Sequence, residues 1–122
     1  MKTIKVTTDD VISIIDVNFD DYKDIQKAIG CDYFETVKTR IMFNYFDGPM
    51  LMCVDDSGLI NGSRENKLGS LFYGTGYHRA PICGNIVFGL LVYEDIEGPK
   101  NVEEMKEKLL RDFNFLKEGD NE

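Results

Sequence analysis

The residues best suited to chemistry lie at positions 61–93, a basic, aromatic and glycine-rich stretch within an acidic chain. The chain has 122 residues and a formal net charge of −8, yet this stretch holds a single acid, Glu65. Arginine and lysine bind phosphate oxygens, glycine lets backbone N–H groups approach a ligand, and aromatic rings stack on a base. The composition therefore favours binding of a phosphate-bearing nucleotide.

Nine residues form the hypothetical site. We expect its cations to neutralise phosphates, one aromatic ring to stack on a purine, and an asparagine amide to bind the ring edge or the ribose. Other interpretations stay open. Phe72 also fits a buried core, Asn85 also fits a turn before a strand, and His78 also fits an exposed loop. Arg64 and Lys67 also fit ion pairs with Glu65 or with acids elsewhere in the chain. The predicted ligand-binding residues are Arg64, Asn66, Lys67, Phe72, Tyr73, Tyr77, His78, Arg79 and Asn85.

The same stretch does not match a known catalytic motif. Residues 74–76 lack the third glycine and the strand-to-helix context of a dinucleotide fingerprint, and there is no Walker A pattern. His78 is the single histidine, so a Cys–His nucleophile would require a distant cysteine. The three cysteines, an odd number with no close pair, argue against a disulfide framework and a clustered zinc site. We expect no catalytic residue, no metal and no cofactor.

The charge and hydropathy of the chain predict where it acts. No apolar signal segment follows Met1 and no run reaches the length of a membrane span. The negative balance disfavours direct attachment to nucleic acid or to an anionic membrane. We therefore expect a cytoplasmic protein without membrane contact and without direct nucleic-acid binding.

The elements that must position these residues follow from periodicity and turn signals. Alternating β-branched residues predict a hairpin, helical spacing with caps predicts two helices, and apolar runs predict strands. The order indicates one α+β domain over residues 1–122 with a mostly antiparallel sheet. The predicted strands are 3–7, 11–17, 33–38, 41–46, 50–54 and 85–93, the helices are 20–30 and 101–116, a helical turn is expected near 63–68, and 117–122 is a predicted disordered tail.

Four short motifs, in this order, resemble a family of short domains encoded by phages and other mobile elements. The first helix ends in residues 25–30, IQKAIG, and a strand ends in an acid-rich glycine turn at 54–59. An asparagine–cation pair at 66–67 follows, and an apolar strand opens with isoleucine and glycine at 82–84. Two departures are Cys31, where the family has a second glycine, and Lys67, where it has arginine.

The resemblance implies a role in the conflict between mobile elements and host defence. Phage proteins of similar size and layout act as sponges that inhibit Thoeris defence, holding cyclic ADP-ribose signals uncleaved in pockets between subunits. By this resemblance we expect a phage-encoded anti-defence protein, a homodimer or higher homo-oligomer, that sequesters a nucleotide-derived immune signal such as a cyclic ADP-ribose isomer. Apolar contacts between subunits would come from Leu109, Phe113 or residues 90–92.

A rival class is an acidic protein-binding inhibitor or DNA mimic that acts on a host defence or restriction enzyme. Residues 94–122 hold ten acids against five bases, and acids spaced along a helix can imitate phosphates. The interspersed cations favour i,i+4 ion pairing over a continuous negative surface. A small structural or regulatory protein without a small ligand is a third possibility.

Overall fold

The structure is a computed structural model that describes residues 1–77 and 80–121. Its described part contains seven strands, four α-helices and a 3-10 turn at Thr75–Tyr77, which confirms the α+β class. The strands are β1 (Lys2–Val6), β2 (Val11–Asp16), β3 (Phe34–Val37), β4 (Met50–Asp55), β5 (Ile86–Val92), β6 (Asp95–Glu97) and β7 (Lys117–Glu118). The helices are α1 (Tyr22–Ile29), α2 (Arg40–Phe46), α3 (Lys67–Tyr73) and α4 (Val102–Asp112).

The strands form one sheet in the order β3-β4-β5-β1-β2-β7, and β6 pairs with the far end of β5. The pairings are antiparallel except that of β2 with β7, which is parallel. The predicted hairpin β1–β2 and the predicted central strand β5 are both confirmed. β5 lies between two neighbours and is buried along its first half, as its nearly continuous apolar sequence requires.

Helices cover both faces of the sheet and create two apolar cores. On one face α1 packs through Ile25 and Ile29 against Leu51 and Val87. The other face is covered by α2, α3 and α4, whose buried residues include Met42, Phe72 and Leu109. Because each strand of the central sheet buries side chains on both faces, the alternating polar pattern of a half-exposed sheet is absent from β2 and β4.

Residues 41–46 were predicted as a strand, and this prediction is wrong because they form α2. The hydroxyl of Thr39 caps the helix by accepting a hydrogen bond from the Met42 amide at 3.2 Å. Met42 is fully buried beneath the helix, and Asp47 ends it in the left-handed region at φ 55°. The Asp47–Gly48 pair therefore terminates a helix, although its sequence is typical of a hairpin turn.

Three other boundaries differ from the predictions. The helical turn expected near 63–68 is α3, which starts later, and the C-terminal helix ends at Asp112 because Phe113 leaves helical geometry. The predicted N-cap of α4 is confirmed, with the Glu104 amide donating to Asn101 Oδ1 at 3.2 Å. The Glu104 carboxylate accepts from the Asn101 side-chain amide at 2.8 Å and not from its backbone N–H, so the second half of the predicted capping box is replaced by a bond between side chains. Contrary to the expected disordered tail, Lys117 and Glu118 form β7. Within the described residues, no helix has the length and apolar character needed to cross a bilayer.

Candidate functional site

The candidate site consists of two neighbouring open pockets that share Glu65 and Lys67 in their lining, and we call the two together the groove and each of them a lobe. The first, which we call the ring lobe, has a volume of about 450 Å³, and the second, the charged lobe, about 590 Å³. Both volumes lie in the range of small-molecule sites. The remaining lining of the ring lobe is Ser70, Leu71, Gly74, Thr75, Gly76 and Phe115. The remaining lining of the charged lobe is Thr8, Asp9, Asp10, Arg64 and Lys117.

Helix α3 sets the position of Lys67 between the lobes. Asn66 is the N-cap of this helix and is fully buried, and its side-chain oxygen accepts the Gly69 amide at 2.9 Å. Its side-chain nitrogen donates to the carbonyls of Val6 and Gly84, both at 3.0 Å. These bonds tie the helix start to β1 and to the entry of β5. The first helical residue, Lys67, consequently emerges at the junction of the two lobes.

Two acids of the β1–β2 turn form ion pairs with two of the cations of the charged lobe. Arg64 Nη1 lies 2.7 Å from Asp9 Oδ1, and both side chains are largely exposed. Lys67 Nζ lies 3.7 Å from Asp10 Oδ2, whose side chain is 17% exposed. The other carboxylate oxygen of Asp10 is buried without a hydrogen-bond partner, and its backbone is left-handed at φ 65°. A ligand phosphate would therefore compete with carboxylates already in place.

Phe115 provides the aromatic ring of the ring lobe. It is half-buried, and Lys67 Nζ lies 5.6 Å from its ring centroid, within the range of a cation–π contact. Sequence reasoning missed it, because it follows the end of α4 and is distant in sequence from residues 61–93. Lys117 was missed for the same reason, since it belonged to the predicted tail. The signal that could have indicated both is the Phe-Asn-Phe-Leu-Lys run after the last helical turn.

Three of the predicted residues serve the scaffold. Phe72 is 2% exposed, with the rings of Phe46 and Phe88 at 5.2 and 5.9 Å, so no face is left for a base and the core interpretation is the correct one. The side chain of Asn66 is fully engaged, as described above, and does not reach the groove. Asn85 accepts the Thr8 amide at 3.1 Å and donates to the Ile29 carbonyl at 3.2 Å, fixing the β1–β2 turn against the end of α1.

The other predicted residues divide into two groups. Arg64 and Lys67 lie in the groove, and Tyr73 is half-buried against the larger core. His78, Arg79 and the side chain of Tyr77 lie outside the described residues. The Thr75 hydroxyl donates to the Ala80 carbonyl at 3.1 Å, and Thr75 lines the ring lobe.

The cysteines are poor nucleophiles in this environment. Burial, and to a smaller extent the nearby negative charge of Asp55, raises the pKa of the Cys31 thiol to about 11. Burial raises the pKa of the Cys53 thiol to about 12. Burial also raises the pKa of Cys83. All three thiols are therefore protonated at neutral pH, and the thiolate is the reactive form. No group of three or more His, Cys, Asp or Glu side chains among the described residues is arranged to hold a metal ion.

A family profile described as a domain of unknown function matches residues 1–112. The chain belongs to the DUF3846 family. The matched span runs from β1 to the last residue of α4 and contains Arg64 and Lys67, whereas Phe115 and Lys117 lie beyond it. No curated protein and no solved structure matches the chain.

Proposed function

We propose that the protein binds a nucleotide-derived, phosphate-bearing ligand in the two-lobed groove and sequesters it without cleaving it. The observation that carries the proposal is the junction of the two lobes at Lys67, which places a half-exposed aromatic ring on one side and a lobe lined by three cations and three carboxylates on the other. A nucleotide has the same division into a flat base and a charged phosphate group. The base would lie against Phe115, and the phosphates against Arg64 and Lys117.

The ion pairs that Arg64 and Lys67 form with acids are compatible with binding of a ligand phosphate. The Arg64–Asp9 pair is exposed to solvent on both sides, and exposed pairs contribute only about 0–1 kcal/mol. A phosphate that forms charge-assisted hydrogen bonds gains roughly 1.5–3 kcal/mol for each. Displacement of Asp9 by a ligand phosphate therefore costs the protein little, and the released carboxylate can accept a hydrogen bond from a ribose hydroxyl.

The finer proposal is that the ligand is an immune signal such as a cyclic ADP-ribose isomer and that the protein is a phage anti-defence sponge. The motif resemblance supports the setting, and the protonated thiols favour binding over covalent chemistry. Sequestration then acts by mass action, because bound signal cannot reach its effector. Nanomolar affinity, about 12 kcal/mol, would hold the free signal low.

Oligomerisation is part of the same proposal. Both lobes are open to solvent, whereas tight small-molecule sites bury most of the ligand surface. A second copy placed over the groove would supply the missing cover. Leu109 cannot contribute to such an interface because it is fully buried in the core, which corrects the earlier expectation. Phe113 and residues 90–92 are partly exposed and remain candidates.

The test is isothermal titration of the full chain with ADP-ribose, cyclic ADP-ribose isomers and NAD, with chromatography of the recovered ligand. We expect one of them to bind and to be recovered intact. Arg64→Gln and Lys67→Gln should each weaken that binding by about tenfold or more, since each removes a charge-assisted contact. Arg40→Gln and Lys38→Gln are matched controls, because both side chains are exposed and lie outside the groove.

Two results would overturn the proposal. If none of these ligands binds to the unmodified chain, a nucleotide-binding function is wrong. If a ligand binds with equal affinity to the groove variants and to the controls, the function survives but the groove is not its site. Sedimentation of the chain with and without the bound ligand tests the oligomer separately, because a monomeric complex of nanomolar affinity would contradict the covered groove.

The acidic face of α4 supports a second candidate, an inhibitor that mimics DNA. The expected i,i+4 pairing is not observed among the described residues, because the helix lysines turn inward. Lys106 is 4% exposed, and Lys108 donates to the Tyr45 carbonyl at 2.7 Å and lies over its ring. This leaves Glu103 and Glu107 exposed without a cation partner on the helix.

A titration into a restriction endonuclease reaction tests this second candidate. We expect the unmodified chain and Arg64→Gln to inhibit DNA cleavage equally, and Glu103→Gln combined with Glu107→Gln to inhibit less. Equal inhibition by the double variant would contradict a role for the acidic face. The two candidates are thereby separated, because one depends on groove cations and the other on helix acids.

A further inference from the structure

The C-terminal segment, residues 113–121, lies beyond the family match and forms part of both lobes of the groove. We propose that this segment selects the ligand: Phe115 stacks on a base, Lys117 binds a phosphate, and Lys106 holds the segment in position. The inference rests on the proposed function and extends it to a class of ligand, nucleotides that place a base in the ring lobe and phosphate in the charged lobe. It also assigns this preference to residues outside the matched family domain.

Backbone hydrogen bonds hold the segment along the edge of β2. The Lys117 amide donates to the Asp10 carbonyl, and the Gly119 amide donates to the Ile12 carbonyl, both at 2.8 Å. Close approach requires glycine at position 119, because a Cβ there would lie 2.4 Å from Val11 Cγ1. The segment therefore pairs with β2 in a fixed register.

Lys106 is the internal anchor of the segment. It is 4% exposed, and its ammonium donates to Glu118 Oε1 at 3.1 Å and to Asn121 Oδ1 at 3.0 Å. The same Asn121 oxygen accepts the Ile14 amide at 3.1 Å. A buried ammonium without partners is unfavourable, so α4 favours the conformation in which the segment stays closed on β2.

The anchored segment is coupled to both lobes through named contacts. Lys117 is bonded through its amide to Asp10, and the carboxylate of Asp10 pairs with Lys67. Lys67 in turn lies over the ring of Phe115. Displacement of the segment would remove the ring from one lobe and a cation from the other. The affinity for ligands with both a base and phosphates should fall most when the segment is displaced. The affinity for inorganic pyrophosphate should fall only through loss of the cation.

The experiment is titration of the full-length chain with ADP and with pyrophosphate. We expect Phe115→Leu to weaken ADP binding by about tenfold, as loss of one base–aromatic stack does, and to leave pyrophosphate binding within about twofold. Lys117→Gln should weaken both ligands. Phe43→Leu and Lys38→Gln are the matched controls, since both parent side chains are exposed and lie outside the groove.

Lys106→Met tests the anchor, because methionine keeps most of the length of the side chain and removes the charge. We expect faster amide hydrogen exchange at Lys117 and Gly119, unchanged exchange in β5, and weaker ADP binding although Lys106 does not line the groove. An unchanged ratio of ADP to pyrophosphate affinity in Phe115→Leu would overturn the inference alone. Failure of the unmodified chain to bind either ligand would overturn the proposed function together with it.

Discussion

Replacing Asn66 with alanine tests whether this residue serves the scaffold or the ligand. Its amide is fully buried and makes three hydrogen bonds, which join α3 to β1 and to the entry of β5. Alanine would remove the cap of α3 and would leave the carbonyls of Val6 and Gly84 without this donor. No groove ligand can reach Asn66 in this arrangement, so the expected effect is on stability.

The magnitude follows from these three bonds. Loss of an N-cap costs about 1 kcal/mol, and loss of the donor to the buried Val6 carbonyl and to the partly buried Gly84 carbonyl costs about 1 kcal/mol each. The total is about 3 kcal/mol, a large fraction of the roughly 5–15 kcal/mol that stabilises a domain. The thermal midpoint should fall by about 10 °C. Asn66→Ser should recover about 1 kcal/mol, because serine restores the cap but cannot span to both carbonyls.

Urea unfolding followed by circular dichroism and tyrosine fluorescence measures this loss, since the chain has no tryptophan. Asn44→Ala is the matched control because Asn44 is exposed on α2, and we expect it to change the free energy of unfolding by less than about 0.5 kcal/mol. A loss below about 1 kcal/mol for Asn66→Ala would refute the scaffold assignment. Asn66 would then return to the set of candidate ligand contacts.

Three further predictions concern single positions. Asp9→Asn removes the competitor of Arg64 and should tighten pyrophosphate binding about two- to fivefold by calorimetry, whereas weaker binding would contradict the displacement step. Because the pKa of Cys31 is raised to about 11, its alkylation by iodoacetamide should rise with pH until about pH 11, and a plateau near pH 9 by mass spectrometry would contradict the burial argument. Tyr93 is 95% exposed with φ 57°, so Tyr93→Asn should raise the free energy of unfolding by up to about 1 kcal/mol, and a decrease would mean that its ring has a stabilising partner.

The sequence predicted those elements whose signals are local. The β1–β2 hairpin and the N-cap of α4 at Asn101 depend on neighbouring residues, and both are confirmed. The prediction of a strand at residues 41–46 failed because aromatic and β-branched side chains are common in strands. Burial of Met42 and capping by Thr39 stabilise a helix there instead. Long-range pairing, such as the parallel contact of β7 with β2, has no local signal.

The residues of the candidate site also differ in whether local sequence could predict them. Arg64 and Lys67 were predictable because charged side chains in a glycine-rich stretch stay at the surface. Asn66 and Phe72 have the residue types of ligand contacts, but their neighbours in space engage them fully. Phe115 reaches the groove from the other end of the chain, so only the tertiary structure associates it with Lys67.

The parallel pairing of β2 with β7 also has a kinetic consequence. Val11 and Lys117 meet across almost the whole length of the chain, so their contact carries a high loop-closure entropy and should form late in folding. With only two residue pairs, it is also the part of the sheet that opens most cheaply. A refolding experiment should therefore detect secondary structure before binding of the proposed nucleotide ligand, and the interval between them measures how long the sheet exists without its β7 edge.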